Sequence, residues 1–273
     1  MHILVTNDDG IYSPGISPIA SELTRIAHVS VLAPDRNWSA SSHARTLDKP
    51  LRIKPSYLHE GFNAWMVDGS PADCVVAGIN GFVKTPVDLV VSGINTSANM
   101  AQDVMYSGTV AAAMEAAMNG IPAIALSLDG SDSCADDVYQ TAASIAIRVI
   151  MPFLDKLLTL SGTVININIP LLPEDRIKGI QVTRLGTRIY NEKLENRQDP
   201  RGRHYYWTVG DNPGGSVEEG TDINAVAKGF VSVTPLKPDL MAYNMMEKIE
   251  TMVWDTTWNS NSLLFRAECV PGG

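Results

Sequence analysis

Hydrophobic positions in the first part of the chain switch between two periods. His2 to Thr6 is a short apolar run suited to a buried strand, and Ile16, Ile19, Ala20, Leu23 and Ile26 then recur on one face of a helix. Val29 to Ala33 reads as a strand again. Further strands are expected at Ala64 to Val67, Leu89 to Val91 and Ala123 to Leu128, with helices at Pro71 to Ile79 and Thr109 to Met118. Asp137 to Leu158 predicts another helix, and Val164 to Ile169 an apolar strand closed by Pro170. Alternation of this kind implies an α/β fold, a mainly parallel sheet with helices on both faces.

Past about residue 170 the pattern changes. Ile180 to Tyr190 and Tyr205 to Val209 read as strands around a polar segment, Asp211-Asn212-Pro213-Gly214-Gly215 is a dense turn signal, and Phe230 to Thr234 is another strand. The expected organisation is a core over 1–170 and a β-rich appendage over 171–273. Tyr243 to Val253 reads as a helix in which Met245 and Met246 pack, Trp254 and Trp258 as packing or interface residues, and the chain from about Thr256 has no clear period.

Composition narrows the function classes. Apolar residues make up 45% and charged residues 19%, as in an ordered globular protein. The 21 basic residues against 30 acidic ones leave a formal charge of −9, which opposes binding to a long nucleic acid but not to a small phosphate ester drawn in by a bound cation and oriented N–H groups. Cys74, Cys134 and Cys269 are too scattered for a disulfide framework or a zinc pattern. No apolar run approaches membrane-spanning length and no basic-hydrophobic leader opens the chain, so a cytoplasmic protein without a membrane partner is expected.

Three loops leave the predicted carboxyl ends of strands, where open parallel sheets place their ligands. Asn7-Asp8-Asp9-Gly10 follows the first strand, Pro34-Asp35-Arg36-Asn37-Trp38-Ser39 the second, and Ser92-Gly93-Ile94-Asn95 the strand at Leu89 to Val91. Taken singly, Asp8 and Asp9 read equally well as a solvated acidic turn, Ser39 as a loop hydroxyl and Asn95 as a turn amide. Together they offer only oxygen ligands, a set suited to Mg²⁺ or Mn²⁺ rather than zinc. Ser107 can cap a helix whose small residues, Gly108 and Thr109 through Ala113, leave its first turn open; its N–H groups, dipole and the Thr109 hydroxyl would cradle a phosphate, or the segment is simply a capped helix. His43 has no partner legible in the sequence and stays outside the candidate site. No phosphate-binding P-loop, dinucleotide fingerprint, nucleophile elbow or Asp-x-Asp phosphatase motif is present.

In order, Thr6-Asn7-Asp8-Asp9-Gly10, Ala33-Pro34-Asp35-Arg36-Asn37, Val91-Ser92-Gly93-Ile94-Asn95 and Tyr106-Ser107-Gly108-Thr109-Val110-Ala111-Ala112-Ala113 resemble the stationary-phase survival protein family SurE. Asp199-Pro200-Arg201-Gly202, Gly220-Thr221-Asp222 and Val231-Ser232-Val233-Thr234-Pro235-Leu236 carry the resemblance to about residue 250. It implies a Rossmann-like three-layer core and a metal-dependent nucleoside 5′-monophosphate phosphatase, with 3′-monophosphates and polyphosphate as further substrates. It also implies one divalent cation per subunit on Asp8, Asp9, Ser39 and Asn95, Asn99 beside the Ser107 to Thr109 helix start on the phosphate, and Asp8 or Asp9 as proton acceptor or nucleophile. The appendage is expected to support a homodimer or homotetramer. The chain departs from the family in having Ala40, Ser97 and Ala101 where glycines are usual. Two rivals stand beside this reading: a nucleotide-binding regulator that has lost turnover, and a phosphatase of broader substrate range.

Overall fold

The fold is described from a computed structural model covering residues 1–57, 62–130, 136–210, 214–215 and 218–253. Its central sheet begins with β1 (His2–Thr6), buried along its whole length because both faces are covered. Ile3 and Val5 point to one helical layer and Leu4 to the other, so each packs into a different core. The sheet continues through β2 (His28–Pro34), β3 (Ile53–Ser56), β4 (Asn63–Val67), β5 (Leu89–Asn95), β6 (Ala123–Asp129) and β7 (Val164–Pro170). It is completed by β8 (Ile180–Val182) and β13 (Val231–Leu236), in the spatial order β3-β4-β2-β1-β5-β6-β7-β13-β8.

From β4 to β7 the strands are parallel, while β3 joins β4 and β13 joins β7 antiparallel, and β8 lies parallel to β13. On one face lie α1 (Ile16–Thr24) and α4 (Asp136–Leu154), with Ile19, Leu23, Tyr139 and Ile150 packed on Val5, Val91 and Leu126. On the other lie α2 (Pro71–Ala77) and α3 (Gly108–Met118). Ala112, Ala113 and Ala116 let α3 approach the sheet closely, and each large aliphatic side chain buried in either layer contributes about 1.5–3 kcal/mol. The predicted three-layer α/β fold is therefore the fold observed.

The sheet does not stop at residue 170. Val231 and Val233 point into the core beneath α4, while Ser232 and Thr234 turn to Thr183, which bonds them at 2.9 and 2.7 Å. Residues Met1–Pro238 accordingly form one compact unit and Asp239–Gly273 a second. In the second unit α6 (Tyr243–Val253) is helical, as its period predicts.

Several boundaries differ from the expectation. The span Ile180 to Tyr190 is interrupted: β8 ends at Val182 and β9 (Arg188–Ile189) pairs with β12 (Gly214–Gly215), so those two glycines belong to a strand. The polar segment between them holds β10 (Lys193–Gln198), paired antiparallel with β11 (His204–Val209) in a hairpin. A short helix, α5 (Asp222–Ala227), opens on a Thr221 cap. Helix α4 stops at Leu154, two residues after Pro152, where a longer helix reads from the pattern. Residues 211–213, Cys134, Cys269, Trp254, Trp258 and the tail from Thr256 lie outside the described residues; Cys74 is buried and free.

Candidate active site

The chain runs outward from β1 through β2 to β4 and then returns to the other side of β1 as β5, which opens a crevice at the carboxyl ends of β1 and β5. Asp8 and Asp9 leave β1 at that point. Asn7 fixes the turn that carries them, its amide donating to the Gly10 carbonyl at 2.9 Å and the Ser13 hydroxyl at 2.6 Å. Asn95 is the last residue of β5, which runs four residues beyond the predicted Val91 through an irregularity between Ser92 and Asn95. Gly93 makes the irregularity possible: its φ is +140°, and a Cβ there would lie 2.2 Å from the Leu126 carbonyl oxygen.

Ser39 is brought in by a loop pinned at both ends. The Trp38 N–H donates to the Asp8 carbonyl at 2.7 Å, the Ser39 N–H to Asn37 Oδ1 at 2.6 Å, and the Ser42 N–H to the Tyr106 carbonyl at 2.9 Å. Asp8, Ser39, Asn95, Asn99 and Ser107 line one cavity of about 360 Å³, a size within the small-ligand range. Asp9 lines an adjoining cavity, and Thr96 belongs to the wall of both. The Thr96 N–H donates to Asp9 Oδ2 at 3.3 Å.

Gly108 and Thr109 are buried and face Asp8 rather than the cavity wall. The Thr109 hydroxyl donates to Asp8 Oδ1, and an added Cβ on Gly108 would stand 2.7 Å from Asp8 Cβ. Ser107 caps α3 as expected, accepting the Val110 N–H at 3.1 Å. Asn99 is clamped from β7: its N–H donates to Asn168 Oδ1 at 2.8 Å and its carbonyl accepts from the Asn166 and Asn168 amides at 2.9 and 3.1 Å. Its own amide donates to Ser127 Oγ at 2.8 Å.

Burial pushes the Asp8 carboxyl above the usual aspartate range, against the hydrogen bonds from Thr109 and the N–H groups of α3's first residues. No basic side chain among the described residues pairs with it. A buried carboxylate without a cationic partner, beside a second carboxylate and the neutral oxygens of Ser39 and Asn95, is a donor set that fits a hard divalent cation. The Asn95 amide nitrogen already donates to the Ser97 carbonyl at 2.7 Å, which leaves its oxygen for that purpose. Among the described residues no group of three or more His, Cys, Asp or Glu side chains is placed to hold a metal, so Asp8 and Asp9 would need the neutral oxygens of Ser39 and Asn95 to complete a site. A second cavity, about 480 Å³, lies between α4 and the end of β7, but Leu128, Val138, Ile145 and Ile169 make its wall aliphatic and it lacks an oxygen cluster.

The survival protein SurE family profile matches residues 3–192. The chain belongs to the SurE family. It is 44% identical to the 5′-nucleotidase SurE of Chloroflexus aggregans over 93% of this chain and 100% of that protein. It is 46% identical to the 5′/3′-nucleotidase SurE of Yersinia enterocolitica over 92% of this chain and 96% of that one. The crystal structure of the SurE protein from Aquifex aeolicus superposes with a TM-score of 0.80 at 39% identity, covering 92% of this chain and 99% of that one.

Within this SurE-family site, four supporting residues were not anticipated. Asn166 and Asn168 were legible as alternate polar positions on one face of the run Val164 to Ile169, a face that must meet something polar if it is buried. Asp222 is fully buried and accepts the Ala101 N–H and the Gly186 N–H, each at 2.8 Å, which accounts for the Gly220-Thr221-Asp222 motif. Asp103 accepts from Arg188 Nε at 2.9 Å and from the Tyr190 hydroxyl, tying β9 to the turn before α3 and pushing the Tyr190 phenol up to about 12. That pairing spans more than eighty positions and has no local signal.

Proposed function

We propose that this chain is a divalent-metal-dependent nucleotidase that releases phosphate from nucleoside 5′-monophosphates. The observation that carries the reading is the buried, cation-less Asp8 at the β1/β5 crevice, set against Asp9, Ser39, Asn95 and the start of α3 in a chain 44% identical to a 5′-nucleotidase SurE. Asp8, Asp9, Ser39 and Asn95 would hold one Mg²⁺ or Mn²⁺ per subunit, which supplies Lewis-acid charge at the phosphoryl group. The Thr109 hydroxyl and the N–H groups at the start of α3 orient the Asp8 carboxyl and partly offset the burial that favours its neutral form. Ser107, the second N–H of the Asn99 amide and the positive end of the α3 dipole hold phosphate oxygens, with Gly108 letting Asp8 lie against that helix end. An aspartate of the pair accepts the proton of a water attacking phosphorus in line.

The same family membership supports 3′-monophosphates as further substrates, since the Yersinia relative is named a 5′/3′-nucleotidase. The hairpin of β10 and β11, which exposes Leu194, Tyr205, Tyr206 and Trp207, suits a contact between copies in a homodimer or homotetramer. No helix among the described residues is long and apolar enough to cross a membrane. A matrix of metals against substrates tests the assignment: chelator-treated protein given Mg²⁺ or Mn²⁺, with 5′- and 3′-nucleoside monophosphates, their deoxy forms and polyphosphate. Phosphate release from 5′-monophosphates only after metal is restored is the expected result. Tight nucleotide binding with no release in any combination would instead identify a regulator.

A further inference from the structure

The phosphate end of the cavity is accounted for by the residues above, but the wall leading out of it contains an aromatic ring that the chemistry does not use. Tyr106 is 60% exposed and lines the same cavity as Asp8 and Ser107. Its backbone is held from both sides, its N–H donating to the Asp103 carbonyl at 3.0 Å and its carbonyl accepting from Ser42 at 2.9 Å. The residue that follows it is the Ser107 cap of α3. The backbone that carries this aromatic side chain is thereby held one position from the proposed phosphate site. Ala40, Ser97 and Ala98, which share this lining, are small, while the Asp103 carboxylate nearby is occupied by Arg188 and Tyr190.

We propose that Tyr106 is the platform on which the nucleobase of the substrate stacks, making it the residue that separates nucleotides from base-free sugar phosphates. The assignment rests on the nucleotidase reading and names what the far end of that site recognises. Every base has a π-face, so stacking of this kind tolerates all bases while favouring the larger purines. Tyr106 is a specificity residue here; it exchanges no proton and binds no cation.

The test compares kcat/KM for adenosine 5′-monophosphate with kcat/KM for ribose 5-phosphate in the wild type, Tyr106→Ala and Tyr106→Phe, with metal present. The ratio of the two is expected to fall about tenfold or more in Tyr106→Ala, through KM rather than kcat, and to stay within about twofold of wild type in Tyr106→Phe, which keeps the ring. An unchanged ratio in Tyr106→Ala overturns the proposal and leaves the phosphatase intact. A wild type that releases phosphate from neither ester overturns the nucleotidase reading and the platform with it.

Discussion

Replacing Gly108 by alanine should separate stability from activity. The new Cβ would stand 2.7 Å from Asp8 Cβ and 3.0 Å from its Oδ2. Reaching ordinary contact at 3.4 Å needs a shift of about 0.7 Å, either of Asp8 or of the start of α3. Overpacking of this kind costs about 1–3 kcal/mol, and alanine returns up to about 1 kcal/mol of helix propensity, so the net loss of stability is expected to be about 1 kcal/mol. Chemistry has no such offset, because a displacement near 1 Å in a reacting group costs about a hundredfold in rate. Phosphate release from adenosine 5′-monophosphate with Mg²⁺ and a thermal melt of the same preparation read the two quantities. A folded Gly108→Ala protein with kcat/KM within threefold of wild type would refute the placement of Asp8 at the reacting centre.

Ala40 and Ala101 hold φ values of +57° and +51°, where a Cβ costs about 1–2 kcal/mol and glycine costs about 0.5–1 kcal/mol in unfolded-chain entropy. The double substitution Ala40→Gly/Ala101→Gly should therefore raise Tm by about 2–4 °C in a scanning melt, and a lower Tm would contradict the strain. The half-buried Arg45 pairs with the buried carboxylates of Asp73 and Glu115, at 3.1 and 3.0 Å, and ties the Ser39 loop to α2 and α3. The His43 hydrogen bond, with the Arg45 charge, holds Glu115 below its ordinary value of 4.5, so this contribution is present above pH 4.5 and is lost as pH falls through the depressed value. Arg45→Met should cost about 2–3 kcal/mol in urea unfolding at pH 7, with the gap to wild type narrowing below pH 4.5; a gap independent of pH would exclude the cluster as its source.

What could be read from the sequence was local. The run Ile3-Leu4-Val5, the helical face from Ile16 to Ile26 and the alanines of α3 each declare their element through their own period, and the alternation of elements fixes the parallel sheet. The turn with Asp8 and Asp9, the Ser107 cap and the cavity position of Asn95 followed from strand ends and capping chemistry. Asn95 lay further along its strand than expected because the Gly93 irregularity carries β5 four residues past its apolar run. Edge strand β3 has only Ile53 and Ser56 partly buried and exposes Lys54 and Pro55, too little to impose a pattern, and β10 is polar because both its faces are largely open. The reach of Asp222 to Ala101 and of Arg188 to Asp103 is set by the three-dimensional path of the chain, which no window of sequence contains.

The sharpest test of the account is phosphate release from a nucleoside 5′-monophosphate by the purified protein, with and without Mg²⁺ or Mn²⁺, beside Asp8→Asn. The substitution keeps the shape of a side chain that burial already drives toward its neutral form, and removes the charge the cation requires. Release that depends on the metal in wild type and falls at least about a thousandfold in a folded Asp8→Asn protein is the predicted result. Metal-dependent release that survives in Asp8→Asn would contradict the assignment of the reacting centre to the end of β1.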